Sequence, residues 1–131
     1  MGEKALVESL VDEAIALVKK LDDSAIPVAF AAWYYYVDAD EWRLILASST
    51  LDALLPKQEA VAYRKVIDAL SATSPSALSV SDLKVVATTY PLLQALKFLV
   101  GTGPQGIARV HCSDCTMNGI FIKEVVILRS A

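Results

Sequence analysis

His111, Cys112 and Cys115 spell an H-C-x-x-C in a chain of 131 residues that holds 1 His and 2 Cys in total. Thiolates and imidazole at such spacing bind zinc, usually as a tetrahedral set of four ligands. A fourth ligand would have to be Asp114, water or a residue of a second subunit. Paired cysteines also suit thiol–disulfide chemistry, although the thioredoxin-like form needs a helix N-terminus to lower the pKa of the attacking thiol, and a strand-rich tail follows here. His111 is the sole imidazole for acid–base work or for a Cys–His nucleophilic pair, with Asp114 as the nearby acid.

Immediately upstream, Gly101, Gly103 and Gly106 form a G-x-G-x-x-G. A dinucleotide loop must follow a strand and open a helix, so that the pyrophosphate meets free N–H groups. Here the order is reversed, and Pro104 removes one donor. The expected role is a helix stop and a turn. A third constellation, Trp33-Tyr34-Tyr35-Tyr36 with Trp42 and Arg43, has the residue types enriched in protein interfaces. Asp38, Asp40 and Glu41 fit a solvated hairpin turn, and Ser48, Ser49 and Thr50 lack a nucleophile-elbow context.

The elements that must position these groups follow from periodicity. Leu6, Leu10, Ala14, Leu17 and Leu21 make one stripe of a helix over Glu3 to Leu21. Two β-branched and aromatic runs around Asp38–Glu41 predict a hairpin. Pairing Val37 with Trp42 puts Trp33, Tyr35, Trp42, Leu44 and Leu46 on one face, and Tyr34, Tyr36 and Arg43 on the other. A shift of one residue would exchange these partners. Pro56 opens a second helix, Leu83 to Thr88 reads as a short central strand, and Pro91 starts a helix that Gly101 stops. Two strands, Ile107 to about Cys112 and Ile120 to Arg129, flank Asn118-Gly119. If the first runs through position 112, His111 and Cys112 point to opposite faces, leaving Cys112 in the core and Cys115 in a loop.

The order α-β-β-α-β-α-β-β predicts one α+β domain over residues 1–131, with a mixed, mostly antiparallel sheet of about five strands and about three helices. A net charge of -3 argues against nucleic acid, which selects basic faces. The longest uncharged apolar run, Ala25 to Val37, has 13 residues and contains Pro27, short of the about 20 a membrane span needs. The opening residues show no secretory pattern, which together with the closely spaced cysteines implies a cytoplasmic setting. Hydrophobic residues make up 55% of the chain, which favours self-association.

The segments EWRLILAS (Glu41 to Ser48), SDLKVVATTYPLLQALKFLVGTGP (Ser81 to Pro104) and NGIFIKEVVILR (Asn118 to Arg129) resemble parts of bacterial single-domain proteins that carry no assigned activity. The resemblance implies a bacterial protein and transfers no catalytic residue. The expected function is a non-catalytic, homo-oligomeric interaction module with Tyr34, Tyr36 and Arg43 as contact residues. One alternative is a small metal-binding or enzymatic protein using His111, Cys112 and Cys115, with zinc as its cofactor. Another is a small-ligand sensor with a pocket beside the aromatic hairpin.

Overall fold

The computed structural model describes residues 8–131. Leu6 and the other opening positions of the expected first helix lie outside the described residues. Helix α1 (Glu8–Asp23) buries Val11, Ala14, Leu17, Val18 and Leu21 on one stripe. It ends where Ala25 takes a left-handed conformation (φ 66°) and the Ile26 N–H returns to the Leu21 carbonyl at 2.9 Å. Strands β1 (Phe30–Tyr36) and β2 (Glu41–Ala47) form the aromatic hairpin. A helical turn, α2 (Ser49–Asp52), precedes α3 (Glu59–Ala72). Strand β3 (Leu83–Val85), helix α4 (Pro91–Leu96), and strands β4 (Val110–Met117) and β5 (Ile120–Ser130) complete the chain.

The five strands make one mixed sheet in the order β3-β2-β1-β5-β4, antiparallel except for the parallel β2–β3 pair. The α+β class is as the sequence implies. Several boundaries differ for local reasons. Helix α2 occupies the Ser/Thr/Asp bend because the Ser48 side chain caps the Thr50 N–H at 3.2 Å. Pro56 therefore sits before α3 rather than at its start. Strand β3 is an edge strand of three residues, not a central one, since among the described residues only β2 pairs with it. Helix α4 stops at Leu96, and the chain reaches Gly101 through a turn.

The hairpin register is Tyr36 with Glu41 and Tyr35 with Trp42, two residues away from pairing Val37 with Trp42. An even shift preserves the faces, because side chains alternate with period two. Ala31, Trp33, Tyr35, Trp42, Leu44 and Leu46 accordingly pack with α1 and α3 in one core. Trp33 is 0% exposed, and its ring N–H donates to the Leu10 carbonyl at 3.3 Å. Each such fully buried large side chain contributes about 1.5–3 kcal/mol through removal of apolar surface from water. The opposite face has thinner cover. Phe30, Ala32, Ile45, Ile122, Val125 and Ile127 lie under Val86, Leu92, Leu93 and Leu96, which come from one short helix and the loop before it.

The glycine loop is a structural clamp. Arg129, 1% exposed, pairs with Asp22 at 2.8 Å and donates to the Gly106 carbonyl at 2.9 Å and the Val28 carbonyl at 3.2 Å. A Cβ on Gly106 would sit 2.1 Å from the Thr102 carbonyl oxygen, so only glycine permits this approach. The Thr102 N–H and hydroxyl also bond the backbone of Ser130, fixing the loop to the end of β5.

Candidate functional site

Strand β4 separates the residues of the H-C-x-x-C. Val110, Cys112, Cys115 and Met117 pack toward the thinly covered core, while His111 and Ser113 are exposed on the other side. His111 therefore does not join the cysteines in one ligand set. Cys112 and Cys115 are linked as a disulfide. This corrects the expectation of a core thiol and a loop thiol, since both are strand residues. Regular alternation would send positions three apart to opposite faces. Asp114, between them, has φ 50° and rolls the strand so that both sulfurs share a face. Opposite it, Ile122 and Val125 of β5 show the same three-residue spacing within one core. Among the described residues, no three His, Cys, Asp or Glu side chains are grouped to hold a metal ion.

His111 instead meets two residues of its own hairpin. Its Nε2 lies 2.8 Å from a Glu124 carboxylate oxygen and 3.2 Å from the Ser113 hydroxyl. A serine–histidine–acid relay needs the hydroxyl on one ring nitrogen and the acid on the other. Here both contacts fall on Nε2, so the arrangement anchors the imidazole without relaying a proton from Ser113 to Glu124. Asp114, the acid expected beside His111, pairs with Lys123 at 2.9 Å. Next to His111, Arg109 bonds Glu8 and Asp12 of α1, and the Asp12 contact leads in raising the guanidinium pKa above its usual value. Glu8, Arg109, His111, Glu124 and Trp42 line a cleft of about 410 Å³ whose charges are largely matched internally. Glu124 was readable in principle. Counting outward from the two-residue Asn118-Gly119 turn pairs Met117 with Ile120 and so Ser113 with Glu124.

The aromatic residues divide differently. Tyr34 is 9% exposed beneath the α4 region, and its ring meets Tyr36 edge-on at 5.0 Å. Tyr36 is half-buried, with Lys84 5.5 Å from its ring centre. Its Oη is buried beside the Tyr90 phenol. Burial, together with the Tyr90 and Tyr34 phenols, pushes the Tyr36 pKa well above the ordinary tyrosine value. Arg43 is half-exposed and paired with Glu41 at 2.7 Å. Tyr34 and Tyr36 thus form the wall of a site, and Arg43 stands at the hairpin surface.

That site is a fork in the sheet. The β1–β5 ladder stops at Tyr34 and Val125, whereas β1–β2 continues to Tyr36–Glu41 and β4–β5 to Met117–Ile120. The ends of the two hairpins consequently diverge. Between them lies a cleft of about 380 Å³ with Tyr34, Tyr36, Tyr90 and Leu92 in its walls. Val37 and Asp38 form one bank, Phe121 and Lys123 the other. Val37 is 56% and Phe121 57% exposed, two large apolar side chains turned to solvent across one cleft. Sequence reasoning missed Val37 and Phe121 because hairpin formation alone does not say where two hairpins part.

No protein-family model, curated protein or solved structure matches this chain.

Proposed function

We propose that this protein is an interaction module that self-associates, and that its contact surface is the open end of the two hairpins. The observation that carries the reading is the pair of exposed apolar residues, Val37 and Phe121, facing each other across an aromatic cleft. Exposed apolar side chains gathered around a cleft mark contact sites, whereas scattered ones do not. In this reading Tyr34 and Tyr36 serve as the wall that shapes the cleft, and Arg43 extends the polar rim. The bacterial cytoplasm is the proposed setting, on the strength of the sequence resemblance and composition. There the Cys112–Cys115 pair would exist largely as two thiols.

A photo-activated cross-linker placed at position 121 in living cells tests the reading. Protein-linked products are expected from position 121 and not from a control at Lys65, on the exposed side of α3. Equal labelling from both positions would overturn it. A second reading, a small-ligand sensor, draws on a cleft of about 580 Å³ beside the hairpin, where Glu59 and Lys84 stand with Tyr63 and Tyr90. Ligand binding there would raise the melting temperature by mass action in a metabolite screen, and Lys84→Ala would abolish that rise.

A further inference from the structure

We infer that the occupant of the cleft between the hairpins is a second copy of this chain, docked about a two-fold axis that passes through the cleft. This rests on the self-association proposed above and deepens it by stating how the two copies are arranged. In a two-fold interface each residue meets its counterpart's complement, so the surface must match itself when its two banks are exchanged. These banks do. The β1 side presents Val37 and Asp38, and the β5 side presents Phe121 and Lys123. Exchanging them sets Val37 against Phe121 of the second copy and Asp38 against Lys123 of the second copy, twice over.

The sheet's other open edges are poor alternatives. Strand β3 offers three residues, too few for a stable ladder. Strand β4 carries Asp114, exposed and at positive φ, in the middle of its free edge. Short strands, charges and distorted backbone are the devices that discourage edge pairing. The fork has an apolar rim instead, with Val37 and Phe121 exposed on its two sides. Lys123 already pairs with Asp114 of its own hairpin, so an incoming Asp38 would extend an existing ion pair into a three-residue network.

Sedimentation velocity on the full chain tests this. The native protein is expected to dimerise with a dissociation constant on the order of 10 µM. Asp38→Lys and Lys123→Asp should each weaken the dimer at least tenfold, because each places like charges across both contacts. Mixing the two variants should restore dimers, since the heterodimer has opposite charges at both contacts, and the double variant should dimerise alone. Circular dichroism melts verify that the variants fold, and Phe121→Asp, which leaves these charges in place, should also give monomers. A native protein that stays monomeric to about 500 µM, or a mixture that forms no heterodimer, overturns the inference. If the native protein dimerises but the mixture of the two charge variants forms no heterodimer, the two-fold docking fails while the self-association stands.

Discussion

The two hairpins of the sheet start from similar local instructions and reach different environments. In both, apolar runs flank a tight turn containing a left-handed residue, Asp40 in one and Asn118 in the other. The β1–β2 hairpin lies inside the sheet between two layers of cover, so Trp33, Leu44 and Ile45 lose contact with water. The β4–β5 hairpin carries the sheet's edge, and no side chain of β4 is fully buried. Strand β5 belongs to both worlds. Its second half, paired with β1, is core, while its first half pairs only with β4 and carries the exposed Phe121. Number of covering layers, rather than hairpin propensity, decides which motif becomes a spine and which an accessible surface.

Substitutions in the spine should have the largest effects. Trp33→Ala removes a wholly buried ring and the bond to the Leu10 carbonyl, and about 3–5 kcal/mol of stability should vanish in urea denaturation. Asp22→Ala leaves the buried Arg129 guanidinium without its carboxylate, with an expected loss of about 3 kcal/mol. A loss under about 1 kcal/mol for both would show that the covered side of the sheet is not the stability-determining one.

The edge hairpin should respond less. Replacing Cys112 and Cys115 by serine removes a link between residues three apart, worth about 2 kcal/mol in the chain-entropy account. Thiol counting on protein purified and oxidised in air should find none, and a reductant should lower the urea midpoint while leaving the serine variant unmoved. A smaller, pH-limited effect is expected where α1 meets the loop after α3. Glu13 accepts bonds from the backbone N–H groups of Leu78, Ala77 and Ser76 and from the Ser76 hydroxyl, which lower its pKa from 4.5 to about 2. The folded-state value lies below the unfolded one, so this stabilisation is fully present above about 4.5 and is lost as the pH falls to about 2. Glu13→Gln should flatten the acid limb of a melting-temperature profile across that window, with little change in slope above it.

Much of this contrast was legible in the chain, and the illegible part has a physical pattern. Alternation assigned Trp33, Tyr35, Trp42, Leu44 and Leu46 to one face even though the exact pairing was two residues off, because faces depend only on parity. The same alternation separated His111 from Cys112. It was not carried to Cys115, which was placed in a loop because the strand was ended near Cys112, and the positive φ of Asp114 would have broken the period there in any case. The G-x-G-x-x-G was assigned to a turn from element order alone, but its tie to Arg129 spans 23 residues of sequence and left no local signal. The cleft is harder still, being defined by where β1 and β5 cease to pair. Tyr34 illustrates the difficulty, since its place on the face opposite Trp33 was readable while its burial depends on α4, a separate element folded over it.

The smallest expected change in stability is the most informative about function. Phe121 is exposed near the start of β5, so Phe121→Asp should alter unfolding free energy by no more than about 0.5 kcal/mol. The β4–β5 turn keeps its register because Asn118 and Gly119 supply the left-handed residues that a two-residue hairpin turn needs. Association should nevertheless disappear, since a carboxylate at this rim would be buried against Val37 of the incoming copy without compensation. Trp33→Ala should do the reverse, lowering stability several-fold more than it disturbs contact in whatever fraction remains folded. Urea denaturation and sedimentation velocity on both variants would read the two quantities separately. If Phe121→Asp unfolds the chain, the edge hairpin is part of the spine. If it leaves both stability and association unchanged, the exposed ring has no docking role and the functional distinction between the hairpins collapses.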